Sequence, residues 1–310
     1  MRLAVALWSD VDTPALAEFT STLPGQVARG PVPSQAEADR WVAENTEGLI
    51  DRHPALAGLP LVLSSTIMAQ TRWYSPLATV PTTGLSGWFP TVEQALLVGR
   101  NRGDVVEVHD TTSAGRVIAV RNSGENEVSV VSVLGDPALG PTEMGRAARE
   151  VALDRGGTRV DPGSLSEGDH GLFTVRLVEG LRNTYSVHLP CWEVRSSFEI
   201  GSGPEVPELV SKLQDLAGAH LPVTGVQSAV ARFDQYGFEA AALTSVTMGS
   251  RRPSEPILVR DIRASFDRPF AVHAVSEGGG WWYGLPLFDA WITEISEASP
   301  ARTHPDQDDF

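Results

Sequence analysis

Between Val105 and Val133 the chain runs through three alternating or β-branched segments, Val105–Val108, Arg116–Val120 and Glu127–Val133. The last two are joined by the turn sequence Asn122-Ser123-Gly124-Glu125. Side chains that branch at Cβ suit a pleated, half-buried surface. The middle of the chain is therefore committed to sheet, and any helices must pack around it. Further strands are expected at Leu3–Trp8, Phe173–Val178, Tyr185–Trp192, Val226–Phe233 and Phe270–Val275. Leu59–Met68 is nearly all apolar or small and reads as a strand buried on both faces. Gly278-Gly279-Gly280 leads into a final hairpin arm, Trp281–Trp291. Helical spacing is found at Ala38, Trp41, Val42 and Asn45, within Gln35–Asn45, and Glu47-Gly48 ends that helix where a left-handed cap would sit. Pro141–Leu153 and Val206–Leu216 also read as helices. Long strands mixed with helices, without regular βαβ spacing, give an α+β class, and no repeat or linker divides the chain.

Charge and composition narrow the function. The 310 residues carry 39 acidic against 24 basic side chains, a net charge of −15, and 42% are hydrophobic, enough for a folded core. A negative surface without a basic, aromatic-laced stripe argues against nucleic acid as a partner. No run approaches the ~20 apolar residues of a membrane span, so no membrane partner is expected. Cys191 is the single cysteine, which excludes internal disulfides and a thiolate zinc cluster. The apolar run after Arg2 is shorter than the ~7–15 residues of a leader's apolar region and reads as a strand. Seven histidines form no metalloprotease motif, Gly84-Leu85-Ser86-Gly87-Trp88 breaks the serine-hydrolase elbow at its last position, and Gly201-Ser202-Gly203 lacks the third glycine of a dinucleotide fingerprint. Neither a catalytic residue, a metal site nor a cofactor is expected.

The informative stretch is Gln235–Pro253. With period two, Phe238, Ala240, Ala242, Thr244 and Val246 share one face and Glu239, Ala241, Leu243 and Ser245 the other. A short Ala-rich helix followed by a loop fits the same residues. The stretch ends in Arg251-Arg252 before Pro253.

That stretch resembles the hinge and reactive-centre loop of the serpins, the strand-inserting protease inhibitors. Gly237, Glu239 and Ala240, Ala241 and Ala242 match their glycine, glutamate and alanine run. Four more blocks occur in family order: Arg40–Ile50, a helix ending Thr46-Glu47-Gly48-Leu49-Ile50; Leu61–Met68 with Trp73 beyond; Leu189-Pro190-Cys191-Trp192 through Ser196-Ser197; and Phe266-Asp267-Arg268-Pro269-Phe270. The resemblance covers about 290 residues and implies a large mixed β-sheet with further sheets and surrounding helices, over residues 1–298, followed by an acidic, disordered tail at 299–310.

By the resemblance, the protein is an inhibitor and not an enzyme. Its loop offers a bait bond to a serine protease, which cleaves it; the freed loop then inserts into the main sheet and drags the acylated protease with it. The family's spacing from Gly237 puts the bait residue at Arg251, with Arg252 following, which implies a trypsin-like partner; the bland alternative is a solvated turn. A monomer is expected, extracellular by family, with the cytoplasm as the alternative. The chain departs from the family in several places. It starts on a strand well inside the family fold, as a shortened relative or a fragment would. Ser65 and Gln227 replace the residues that help control sheet opening, Gln235 replaces glutamate and Phe238 a small hydroxyl residue, and the loop Arg252–Phe266 looks long. Phe238 is expected to be driven inward at the start of insertion and to slow it. A non-inhibitory binding or scaffold protein, whose loop is only cut, is the alternative.

Overall fold

A computed structural model of the chain describes residues 2–56, 58–81, 89, 92, 94–99, 104–199, 206–218, 226–238 and 257–295. In chain order its elements are β1 (Arg2–Ser9), α1 (Pro14–Thr22), β2 (Ala28–Gly30), α2 (Gln35–Asn45), β3 (Leu61–Met68), β4 (Thr71–Arg72), β5 (Ala78–Pro81), β6 (Gln94–Val98), β7 (Asp104–Thr111), β8 (Gly115–Ser123) and β9 (Val128–Leu134). There follow α3 (Pro141–Ala152), β10 (Gly157–Arg159), β11 (Gly168–Asp169), β12 (Phe173–Gly180), β13 (Thr184–Pro190), β14 (Trp192–Glu199), α4 (Val206–Ala217), β15 (Val226–Phe233), β16 (Gly237–Phe238), β17 (Ile257–Ser265), β18 (Phe270–Ser276) and β19 (Pro286–Ile292). They fall into two compact units, Met1–Met68 with Arg195–Val230, and Ala69–Val194 with Ala231–Phe310.

In the first unit β1 lies between β2, parallel, and β3, antiparallel, in register from Arg2↔Met68 to Ser9↔Leu61. Helix α2 opens with a reciprocal capping box between Ser34 and Glu37. It closes where Glu47 and Gly48 take positive φ, as the sequence indicates. Its Ala38 packs with Leu56 against Ala6, Trp8 and Val62, and Trp8 meets Trp41 edge-on at 5.2 Å. Among the described residues only one face of β3 is covered. Val62, Thr66 and Met68 are buried, but Leu63 between them is 47% exposed and Ser65 is also exposed. The expectation of burial on both faces is thus corrected. Alternate residues of one strand point to opposite faces, and the helix side alone receives a packed layer here.

The second unit is built on two six-stranded sheets, β10-β7-β8-β9-β18-β19 and β11-β12-β17-β13-β6-β5. Both contribute to one core: Val106, Ile118, Val120, Val130 and Val272 from the first pack in the same cluster as Leu96, Val175, Val187, Leu189 and Ile262 from the second. The opposite face of the first sheet is covered by α3, with Met144, Ala148 and Val151 over Val117, Ala119, Val131 and Val133. Arg121 reaches out of that sheet to the last carbonyls of α3, Val151 and Ala152, and so caps the helix.

Three expectations need correction in this unit. The stretch after Arg252 is not a long loop up to Phe266, because β17 occupies Ile257–Ser265 and is clamped between β12, antiparallel, and β13, parallel. Its alternation is masked by exposed Ile257 and Leu258 at one end and by Asp261, which is buried. Tyr185–Trp192 is two strands rather than one; the chain leaves β13 at Pro190, and Trp192 begins β14 in the four-stranded sheet β14-β15-β16-β4. The last hairpin arm is also shorter than expected. A 3₁₀ turn occupies Gly280–Trp282 before β19 begins at Pro286.

On the α3 side of β7, Glu107 and His109 are both buried, with His109 Nε2 3.1 Å and Arg159 Nη1 2.9 Å from the Glu107 carboxylate. The hydrogen bond from His109 is the main cause that holds Glu107 below its ordinary value of 4.5; burial opposes it, and Arg159 assists. A carboxylate with a depressed folded pKa stabilises the fold above the unfolded value, and that contribution disappears as pH falls through the folded value. Urea unfolding midpoints measured at pH 7 and between pH 3 and 4 should therefore fall less in Glu107→Gln than in the wild type.

Candidate functional site

Residues 233–238 form a tight hairpin with an aromatic floor. After β15 the chain turns at Asp234-Gln235-Tyr236-Gly237. The Asp234 carboxylate accepts the backbone N–H groups of Tyr236 at 2.7 Å and Gly237 at 3.1 Å, and the Asp234 N–H donates to the Gly237 carbonyl at 3.0 Å. An Asx side chain folding its own backbone in this way sets a sharp reversal. The returning residues form β16, which lies between β15 (Phe233↔Phe238) and β4 (Gly237↔Arg72, Phe238↔Thr71), antiparallel to both.

Trp73 holds the turn from the side. Its backbone N–H donates to Tyr236 O at 3.1 Å and its indole Nε1–H to Asp234 O at 2.9 Å, while Leu77 N–H donates to Gln235 O at 2.8 Å. Gly237 has to be glycine, since a Cβ there would overlap the Thr71 carbonyl oxygen. Gly124 is constrained in the same way on the far side of β4, against Thr71 and the Arg72 carbonyl.

Phe238 points inward and is 4% exposed. Its ring lies 6.3 Å from Trp192 and 6.1 Å from Phe288; Trp192 in turn stacks on Phe233 at 5.7 Å, and Phe233 meets Trp73 at 5.1 Å. Offset and tilted pairs at these spacings are the favoured aromatic geometries. The Arg232 guanidinium donates twice to Glu193 Oε2, at 3.0 and 2.6 Å, and ties the end of β15 to β14 beside the cluster. Cys191 next to it is no nucleophile; burial, with the Asp234 carboxylate adding, pushes its thiol up to about 11.

The structure thus brings together Trp73, Gly237 and Phe238 from the sequence-derived set. Ser65 belongs to the first unit, exposed on β3 opposite Val5. Gln227 lies on β15, in the stretch assigned to the first unit. Glu239, Ala240, Ala241, Ala242, Arg251 and Arg252 fall outside the described residues, as does 299–310. One mechanistic expectation is corrected. Phe238 is not waiting outside the sheet, because it is already buried between β15 and β4, and the work of seating it lies in the fold itself. Sequence reading misses Thr71, Asp234 and Phe288, and singles out Trp192 only as part of a family-like block. The Asp-x-x-Gly spacing of the turn is the one local signal available; the aromatic contacts join residues up to 160 positions apart, Trp73 and Phe233, and leave no local pattern. Among the described residues no group of three His, Cys, Asp or Glu could hold a metal ion, and no helix is long and apolar enough to cross a membrane.

No protein-family profile matches the sequence, and no curated protein matches it. Solved structures do. Human thyroxine-binding globulin complexed with thyroxine is matched at 11% identity and TM-score 0.57 over 95% of this chain and 75% of that one. Serpin48, a highly specific serpin of the insect Tenebrio molitor, is matched at 14% identity and TM-score 0.53 over 95% and 76%. Mouse protein-Z dependent protease inhibitor is matched at 12% identity and TM-score 0.57 over 95% and 74%. The chain has the serpin fold, an α+β architecture of several sheets with surrounding helices.

With Phe238 seated in the core, Phe238→Ala should lower unfolding stability by about 3–5 kcal/mol, as removal of a buried aromatic does. A substitution on an exposed loop stays within about 0.5 kcal/mol. Urea denaturation followed by tryptophan fluorescence separates the two.

Proposed function

We propose that the protein inhibits serine proteases as a suicide substrate, with Arg251 at the bait bond, a trypsin-like enzyme as its target, and Gly237–Ala242 as the hinge of a loop that inserts into the sheet after cleavage. One observation carries this reading: the residues leading into the loop are already paired as a strand between β15 and β4. A chain cut further along can extend that pairing by adding residues to a strand that has begun. A strand of ~10 residues gaining ladder bonds on both edges at about 1 kcal/mol each amounts to about 10–20 kcal/mol. That is of the order of a whole domain's stability, so the uncut state is held kinetically.

Phe238 takes a different role from the one its size suggests. Overpacking a formed layer costs about 1–3 kcal/mol, but a residue that is seated beforehand adds nothing of this to the barrier of later insertion. Phe238→Thr is therefore expected to loosen the hinge without raising the yield of trapped protease.

The fold likeness to a protease inhibitor and to Serpin48 supports inhibition; the equal likeness to a thyroxine-binding globulin favours a second reading, a binding protein whose loop proteases merely cut. In the first reading the protein acts as an extracellular monomer and is not an enzyme. Mixing the chain with trypsin and running a denaturing gel decides between them. Inhibition gives a band at the summed mass that is lost in Arg251→Ala. Cleavage near Arg251 with no such band and with trypsin still active supports the binding protein.

A further inference from the structure

The segment between β18 and β19 is a glycine-rich loop fixed by its backbone. Ser276 N–H donates to Leu285 O at 3.0 Å, Gly284 N–H to Ser276 O at 2.9 Å, Leu285 N–H to Trp282 O at 3.1 Å, and Glu277 N–H to Glu127 O at 2.6 Å in the β8–β9 turn. Gly280 and Gly284 take the left-handed φ of 75° and 76° that the path requires. This rigid loop holds two large aromatic side chains in solvent, Trp282 at 51% and Tyr283 at 67% exposure. By contrast Trp8, Trp73 and Trp192 are all buried.

The loop that carries the two rings is bonded to an acidic turn. Glu277 and Glu127 are joined through their backbones, and Glu125 is two residues away on the same turn; all three are exposed. Arg121 faces Glu277 at 3.6 Å, whereas among the described residues Glu125 and Glu127 meet no cationic partner. Aromatic faces attract cations, most strongly guanidinium groups, and exposed Trp and Tyr on a pre-organised support are the residue types that dominate protein interfaces. Carboxylates at the rim steer a basic partner toward them.

We propose that Trp282 and Tyr283, rimmed by Glu125 and Glu127, form a docking surface for an arginine- or lysine-rich segment of a partner protein, whose cationic side chains stack on the two rings while neighbouring ones pair with the carboxylates. The surface abuts the hinge through one turn. Glu125 N–H donates to Arg72 O at 2.9 Å, Gly124 packs against Thr71, and Arg72 pairs with Gly237 in β16. A partner seated there therefore touches the turn that supports β4. The surface is independent of whether the loop traps a protease.

Fluorescein-labelled nona-arginine, titrated with the full chain and followed by anisotropy at ~150 mM salt, tests the proposal. Trp282→Ala/Tyr283→Ala is expected to weaken binding about tenfold, consistent with the loss of two stacked cations. Glu125→Gln/Glu127→Gln should weaken it comparably and flatten its salt dependence. The charge-matched control Glu18→Gln/Glu179→Gln, remote in sequence from the loop and from the β8–β9 turn, should stay within about twofold of wild type. Should the aromatic double variant fail to melt as the wild type does, Tyr283→Ser alone, at a largely exposed position, is read in its place. The proposal is overturned if nona-arginine binds no better than nona-glutamate, if removing the rings leaves affinity unchanged, or if the control weakens binding as much as Glu125→Gln/Glu127→Gln does.

Discussion

The burial of Phe238 against Trp192 and Phe288 is the contact on which the candidate site depends. It fixes the side chain at the point where a sheet strand becomes the segment leading to Arg251. Phe238 can reach that position only because Gly237 passes flush against the Thr71 carbonyl, and Gly237 can do so only because the Asp234 carboxylate folds the turn before it. Three residue types within five positions thus act in series: a turn-former, a residue without a side chain, and a large apolar anchor. Replacing the middle one displaces β16 from β4 through backbone overlap, whatever the anchor contributes.

The rest of the second unit is arranged to keep this pairing in place. Trp73 uses both of its N–H donors on the turn carbonyls, so the strand that flanks β16 also reads the turn's conformation. The β8–β9 turn backs β4 from the other side through Gly124 and Glu125. Downstream, β17 is bonded on both edges, so the chain that returns from Arg251 and Arg252 arrives at a fixed strand. The described residues on either side of 239–256, β16 and β17, thus both lie in sheets of the second unit.

Much of this is legible in the sequence, for reasons that differ from residue to residue. The span of β15 and the span and C-terminal end of α2 follow from local periodicity and glycine placement, both of which act within a few residues. The importance of Gly237 and Trp73 comes from family resemblance, and the structure supplies its physical content as close approach and carbonyl recognition. Phe238 stands out in the sequence as the anomalous residue, but the direction of its effect does not. Nothing local says whether a hinge residue waits outside the sheet or already lies within it. The one-faced burial of β3 and the identity of β17 escape sequence reading because both depend on which strand pairs with which, a tertiary fact. Asp261 in β17 shows the difficulty: a buried carboxylate reads as loop until its partners Thr184 and Arg263 are known.

Hydrogen exchange read by mass spectrometry on peptides spanning Asp234 to Phe238 tests the seated hinge most directly, because the Tyr236 and Gly237 amides are held by Asp234 and the strand after them is paired on both sides. The expected result is protection of these amides well beyond that of an unstructured chain, lost in Gly237→Ala. Exchange at the unstructured rate in the wild type would show that β16 is not seated between β15 and β4, and would contradict the proposal that the hinge is built into the sheet.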